Sequence, residues 1–422
     1  MSEFSNRWQE IFDKYDIAKR VEKDGYADIS ANEIKKLHFE PRLLTKIDHS
    51  IHLPPVMADS NLSILTLSSS SWRIGSFEIF EKLPEWNTNA PVENKNLPDW
   101  IQSINPEKIT GEGAVVNSAQ ISGILDSFCE NELQLTISGK ARSGDFDFSV
   151  NSKFGKAIIE VRGAQIEIDA GYETRDDIWI IEAKKRKSLD FNVRQLYYPF
   201  RAWQQKIAKP IRTVYLTFAN DYYDLYEYGF EDANEMSSIQ LLKKSRFTVN
   251  AVPVSKNELV EIAQASLGKK NKVPEVPFPQ ADDFERVLDL LEFLAESPRS
   301  QEDITTKYEF APRQSDYYFN ACRYLGVAEK SGSGIRKATT LGSKIAELDY
   351  KKKRIELAKL LFAIEPIPEI YLASVKGSPL TNDDVTKIFE KSTSSNGISG
   401  STIGRRTQTI QSWVRWLVDL GV

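Results

Sequence analysis

The run Gln165-Ile166-Glu167-Ile168-Asp169-Ala170-Gly171-Tyr172, followed closely by Ile178-Trp179-Ile180-Ile181-Glu182-Ala183-Lys184, constrains this chain more than any other stretch, because it sets charged side chains into apolar strands. Burying charge is costly unless it is paired, so strand interiors keep it only where something compensates. Alternation puts Glu167 and Asp169 on one face of the first run, with Ile166 and Ile168 turned to a core. Glu182 and Lys184 stand two apart and project to the same side of the second. Gly171 and Thr174-Arg175-Asp176-Asp177 supply a hairpin connection. Antiparallel pairing then brings Asp169 and Glu182 together with Lys184 beside them. Paired carboxylates suit a hard divalent cation such as magnesium, and a neighbouring amine can orient or deprotonate water. A surface hairpin with a salt bridge is the plainer reading. The same Glu-x-Lys spacing recurs at Glu33-Ile34-Lys35, in a helix-like polar run, and at Glu93-Asn94-Lys95, in a Pro- and Asn-rich loop.

The flanking sequence extends this unit. Lys184-Lys185-Arg186-Lys187 is a run of cations directly after the strand, where Lys185, Arg186 and Lys187 can meet a phosphate. Asp190 is suited to cap a helix from Phe191, on which Arg194, a further candidate DNA contact, shares one side with Gln195 and Tyr198, and Pro199 should kink or end it. Thr213–Phe218 and Tyr222–Phe230 read as further strands of a mixed sheet. Ala114–Phe128 reads as a helix with Val115, Ile121, Ile124 and Leu125 inward.

Asp169, Glu182, Ala183 and Lys184 together resemble the catalytic pattern of the PD-(D/E)XK nuclease superfamily, which includes many type II restriction endonucleases; Ile168 stands where that pattern often has proline. The resemblance implies a magnesium site, with manganese able to substitute, held by Asp169, Glu182 and the backbone carbonyl of Ala183. It implies that Lys184 positions or helps deprotonate the attacking water. It adds Gln195, on the helix after the Glu-x-Lys strand, as a further catalytic candidate, and Glu112, before the preceding helix, as a further metal ligand.

The last third is organised differently. Lys269–Pro279 is polar and then Pro-rich, as a linker would be. Phe284–Leu294 reads as an apolar helix, Ser300 as the cap of a second, and Ala311–Gly326 as a third with Pro312 in its first turn. A turn at Ser331-Gly332-Ser333-Gly334 makes a hairpin. Helix, helix, helix, hairpin resembles the winged helix-turn-helix family of DNA-binding modules. A second helical copy is expected from Leu380–Val385 and Ser401–Trp413, the latter with Ile410, Trp413, Val414 and Leu417 on its apolar side. Arginine and glutamine near a helix start suit base edges, which selects Arg313, Gln314, Ser315 and Tyr317 in the first module and Arg405, Arg406, Gln408 and Gln411 in the second. Protein-interaction winged helices are the other reading of such modules.

In the first 110 residues, Leu43-Leu44, Leu62–Leu67 and Phe77–Phe80 suggest strands, while Pro41-Arg42 and Pro54-Pro55 suggest turns. Glu40–Asp48 with Leu53-Pro54 is similar to the N-terminal parts of some restriction endonucleases, so a small sheet that completes the nuclease domain or touches DNA is expected there. His38, His49 and His52 lack the partners of a zinc site. Cys129 and Cys322 fit no zinc spacing and read as buried thiols in a reducing cytoplasm. Lys and Arg number 55 against 60 Asp and Glu, for a formal net charge of −5, so DNA binding must come from local patches. No window approaches the roughly 18 apolar residues of a membrane span, and the first residues have no signal-peptide pattern.

The expected architecture is α/β (α+β): residues 1–110 as a DNA-contacting or nuclease-associated region, 111–270 as a restriction-endonuclease-like mixed sheet flanked by helices, 281–348 as a winged helix-turn-helix, and 349–422 as a second helical, winged-helix-like DNA-binding module. The expected function is that of a cytoplasmic, magnesium-dependent type II restriction endonuclease cutting double-stranded DNA as a homodimer, with a cognate DNA methyltransferase as functional partner and no membrane association. A non-cutting transcriptional regulator and a structure-specific repair or recombination nuclease are the alternatives. Removing residues 281–422 is expected to leave a folded core.

Overall fold

The computed structural model describes residues 3–86, 91–106, 109–269, 274–308, 312–332, 334–378, 380–400 and 402–421. The chain is mixed α/β and divides into two compact units: residues 1–85, 110–218 and 223–247 form one, and residues 86–109, 219–222 and 248–422 the other. Among the described residues no helix is long and apolar enough to cross a membrane.

The first unit is built on a mixed sheet. Its strands lie in the spatial order Ile239–Val249, Tyr222–Phe230, Ile211–Ala219, Ile178–Lys184, Gln165–Glu173, Gln134–Arg142. Gln134–Arg142, Gln165–Glu173 and Ile178–Lys184 meander antiparallel. Ile178–Lys184 and Ile211–Ala219 run parallel, which requires a crossover, and the helix Arg194–Gln204 supplies it. Every residue of Ile178–Lys184 is buried, as befits a central strand covered on both faces. The expected strands over Thr213–Phe218 and Tyr222–Phe230 are present. A separate hairpin, Asp145–Ser152 with Gly155–Arg162, turns Phe146, Phe148, Val150, Ile159 and Val161 into a core shared with Ile166, Ile168, Ile178, Ile180, Tyr197 and Tyr198.

Several local expectations are corrected. The segment Ala114–Phe128 is broken into Glu112–Ile121 and Ile124–Cys129, because Gly123 takes a left-handed φ of 76° that glycine adopts without steric cost; Ile121 is consequently exposed. Pro199 sits inside its helix, which continues to Gln204. Asp190 does not cap that helix: it lies in a short strand, Asp190–Asn192, and Asn192 Oδ1 instead accepts the Arg194 N–H. Pro41 and Pro55 open short helices, where a missing N–H costs nothing, so Leu43-Leu44 is helical. Glu93 lies in a strand, Val92–Lys95. The N-terminal sheet is three-stranded, from Tyr26–Ser30, Ser71–Gly75 and Ser63–Ser68.

In the second unit, Phe284–Glu296, Gln301–Tyr308 and Pro312–Tyr324 are followed by the antiparallel pair Ala328–Lys330 and Arg336–Ala338. Ser300 starts the second helix as expected: its hydroxyl accepts the Asp303 N–H while Asp303 accepts the Ser300 N–H. Beyond residue 349 come Tyr350–Phe362, Pro366–Val375, Asn382–Lys391 and Thr402–Leu420, with no hairpin among the described residues. Helix Lys256–Ser266 contributes Leu259 and Ala263 to the same core as Trp413 and Leu417, so cutting at 281 would strip that helix of its packing. Phe278 is buried there too, against Tyr324, Phe389 and Trp413, so the Pro-rich segment is anchored rather than a free linker. Lys270–Val273, Ala311, Ser333 and Ser401 lie outside the described residues. Both cysteines are buried free thiols.

Candidate active site

The site forms where two neighbouring strands part. The antiparallel ladder of Ile178–Lys184 with Gln165–Glu173 runs from Ile178↔Glu173 to Ile181↔Ala170 and stops one position short of pairing Asp169 with Glu182. There Asp169 Oδ2 accepts the Ala183 N–H at 2.8 Å, a side chain standing in for a ladder carbonyl. On its other side the Asp169 strand is out of step, since Ile137 faces Gly171 but Gly139 faces Ile168. The extra residue falls at Asp169 and Ala170, and such a bulge re-aims a side chain and breaks strict alternation.

Glu182 and Lys184 are almost enclosed, with side chains 11% and 8% exposed, and Lys184 Nζ donates to Glu182 Oε1 at 2.5 Å. Gln195 Nε2 donates to the same oxygen at 2.6 Å. Glu182 Oε2 accepts no hydrogen bond among the described residues, and Gln195 Oε1 is buried without a donor. Glu112, the first residue of its helix, has Oε1 3.6 Å from Lys184 Nζ. Asp169, Glu182, Lys184, Gln195 and Glu112 therefore meet in one place, a cleft of about 360 Å³.

Electrostatics follow from this enclosure. Burial is the largest influence on the Glu182 carboxyl; Lys184 opposes it and Asp169 reinforces it, leaving Glu182 pushed up to about 7. Burial alone would lower Lys184, but the attraction of Glu182, with Tyr215 and Glu112 behind it, holds the amine well above its ordinary value. Lys184 is thereby held beside Glu182 with N–H donors available to a ligand in the cleft. A group of three or more His, Cys, Asp or Glu side chains arranged to hold a metal is absent among the described residues; the side-chain oxygen donors of the cleft nearest Lys184 are the Asp169, Glu182 and Glu112 carboxylates and the Gln195 amide.

Lys185, Arg186 and Lys187 are half-buried rather than a solvated basic run. Arg194 lines the cleft. The sequence reading missed the other wall, in which Lys35, Arg42, Lys46, Asp48 and Trp72 line the same cleft from the N-terminal region. The similarity of Glu40–Asp48 to restriction-enzyme N-termini covered Arg42, Lys46 and Asp48 without assigning any of them to the site.

In the second unit, Arg313 and Gln314 are exposed at the start of their helix, and Arg313 lies over the Tyr317 ring at 5.6 Å. Ser315 is fully buried, its hydroxyl accepting from Arg336 Nη1 at 3.2 Å, so it is removed from the candidate contacts. Arg405 and Gln408 are exposed, while Arg406 and Gln411 are half-buried. Arg406 is lowered chiefly by burial, with Tyr317 and Asp282 acting against it. Its Nε and Nη1 are buried without hydrogen-bond partners among the described residues.

Residues 5–74, 75–248 and 286–421 match three families, each described as a domain of unknown function (DUF6996, DUF6997 and DUF7226). No curated protein and no solved structure matches. The cleft draws its residues from both of the first two matched segments.

Proposed function

We propose that this chain is a magnesium-dependent endonuclease of the restriction-enzyme type, hydrolysing double-stranded DNA at a base sequence read by its C-terminal helices. The observation that carries this is the meeting of Asp169 and Glu182 at the parted ends of adjacent strands, with Lys184 2.5 Å from Glu182 inside a cleft. The fold supports the resemblance to PD-(D/E)XK nucleases: an antiparallel meander, a helix and a parallel strand surround the motif.

The donor set fits a hard cation. Asp169 keeps one oxygen outside its bond to Ala183, Glu182 keeps Oε2, and Gln195, whose Nε2 holds Glu182 Oε1, has its own Oε1 buried without a hydrogen-bond partner among the described residues. Magnesium, or manganese in its place, would supply charge to polarise the scissile phosphate and acidify bound water. Glu182 is fixed for that task by Lys184 and Gln195, both on Oε1. Lys184 positions or helps deprotonate the attacking water and offsets charge gathering on the phosphate. Glu112, with Oε1 3.6 Å from Lys184 Nζ, adds a second negative charge beside the amine.

For recognition we read residues 281–348 as a winged helix-turn-helix and 349–422 as a second, wingless helical module. Single alanine changes at Arg313, Gln314, Arg405 or Gln408 should cost about 1–3 kcal/mol of preference at one base position if they read bases, whereas phosphate contacts would weaken every sequence alike; competition binding with single-base variants of the cut site separates the two. Cutting both strands at a symmetric site needs paired active sites, so a homodimer is the expected assembly, and a cognate methyltransferase would protect the host's own sites.

The metal assignment is tested by exchanging cations. Calcium, larger and looser in coordination than magnesium, should give a shifted DNA band and no product, while magnesium or manganese gives product. Undiminished cleavage in excess chelator would overturn the metal-dependent reading.

A further inference from the structure

The segment Ile47–Ser50 is stitched to Asp190–Asn192, the stretch that leads into the helix bearing Arg194 and Gln195. Asn192 N–H donates to the Asp48 carbonyl at 2.8 Å, and Asn192 Nδ2 donates to the Ile47 carbonyl at 2.9 Å. His49 Nδ1 lies 2.5 Å from the Asp190 carbonyl. The Ser50 N–H donates to Asp190 Oδ1 at 3.1 Å, and the Ser50 hydroxyl bonds its other oxygen. Bonds from several consecutive residues fix a register between the N-terminal region and the start of that helix, which a chance contact would not need.

The register sets one carboxylate among cations. The Asp48 side chain is only 13% exposed and stands 3.7 Å from Arg194 Nη2 and 3.9 Å from Lys46 Nζ. Arg194 is itself 19% exposed and lies over the Tyr198 ring at 5.9 Å, so its guanidinium is held rather than waving in solvent. All of these groups line the cleft that holds Asp169, Glu182 and Lys184. The same wall carries Arg42, partnered by Glu167 at 3.9 Å, and Glu40. A cleft that admits a polyanion gains nothing from a further buried carboxylate unless that carboxylate orders the groups that bind it.

We propose that Arg194 and Lys46 form a phosphate-binding subsite for the DNA backbone beside the scissile bond, and that Asp48 is the positioning residue that aims them. Resting on the nuclease reading above, this gives the N-terminal region a share in the substrate site. Arg194 offers a planar fork of donors to a phosphate and Lys46 a point charge. The contacts are made to the backbone and carry no base preference.

The test is binding of a short fluorescein-labelled random-sequence duplex to the full chain, with calcium in place of magnesium, over a series of salt concentrations. Lys46→Ala and Arg194→Ala should each weaken binding and reduce the salt slope by about 0.9 per lost phosphate contact. Asp48→Asn is the discriminating variant. Removing a negative charge should strengthen binding of a polyanion if Asp48 only repels it; the proposal requires weaker binding and a smaller slope, with Asp48→Glu recovering both and the urea midpoint of each variant held at wild type. Asp48→Asn binding as tightly as wild type, or more tightly, overturns the proposal while leaving the nuclease reading intact. Failure of the wild-type chain to bind duplex DNA at all overturns both. A lowered urea midpoint in Asp48→Asn is answered by Lys46→Ala, whose exposed side chain has no packing role; unchanged binding in that variant overturns the subsite.

Discussion

Glu182→Gln and Asp169→Asn should each reduce DNA cleavage on the order of a thousandfold, because a lost carboxylate ligand removes several kcal/mol of transition-state stabilisation and each ~1.4 kcal/mol is a factor of ten. The amides keep the shape of the side chains they replace. The introduced glutamine would still accept from Lys184 and Gln195, and the oxygen of the introduced asparagine from the Ala183 N–H, so the parted strand ends retain the bonds now seen. Duplex binding in calcium should persist and circular dichroism should match wild type. Lys184→Ala should fall less far, since Lys184 orients and neutralises rather than holding the ion. Cleavage within tenfold of wild type in either carboxylate variant would remove those residues from the site.

The second large effect is on stability and lies in the other unit. Arg354 and Lys353 are fully enclosed, at 0% and 1% side-chain exposure, and both face Asp221, at 2.9 and 3.7 Å. Arg354 also donates to the Asn220 carbonyl at 2.6 Å and lies over the Tyr350 ring at 3.6 Å. Lys353 has Glu292 at 2.6 Å, a carboxyl that burial pushes up to about 7 despite Lys353, with Asp221 adding to the rise. Breaking a buried pair from one side leaves an uncompensated charge, at a cost of about 3 kcal/mol. Asp221→Asn isolates that effect: Asp221 has a φ of 67°, a left-handed conformation asparagine also tolerates, so backbone strain is not added. Urea unfolding followed by intrinsic fluorescence should show an earlier step for this variant. A midpoint shift worth less than about 1 kcal/mol would show that the enclosed cations are satisfied without Asp221.

Much of the strand pair that carries the candidate site was legible because its signals are local. Ile-Trp-Ile-Ile fixes a central strand, and the two-residue step from Glu182 to Lys184 fixes their common face whatever the partner. The meeting with Asp169 depended on register, which alternation alone does not supply; the bulge at Asp169 and Ala170 has no sequence signature beyond Gly171 nearby. The hairpin Asp145–Arg162 is readable in the alternation of Asp-Phe-Asp-Phe-Ser-Val and its Gly155 turn, yet it is absent from the expectations. Asp190 misled because a carboxylate before an amphipathic run resembles a cap, whereas long-range bonds to Ser50 and the proximity of His49 claimed it. Asp48, Lys46 and Arg42 reach the cleft through tertiary packing more than a hundred residues away in sequence from Glu182, and no spacing rule could link them. In the C-terminal unit, helix starts were visible through Ser300 as a cap and Pro312 in a first turn. The burial of Ser315 was not, because helix periodicity near a start leaves the inward face ambiguous until Arg336 is in view.

The central claim is that the cleft hydrolyses phosphodiester bonds in duplex DNA. Its most direct test is incubation of the purified full chain with plasmid and phage DNA in magnesium, beside the Glu182→Gln protein, followed by sequencing of all new ends. The account predicts discrete fragments whose ends share one sequence context, made by wild type and absent with Glu182→Gln or in chelator. Intact DNA after prolonged incubation with magnesium and with manganese would contradict it, as would equal cleavage by the Glu182→Gln protein.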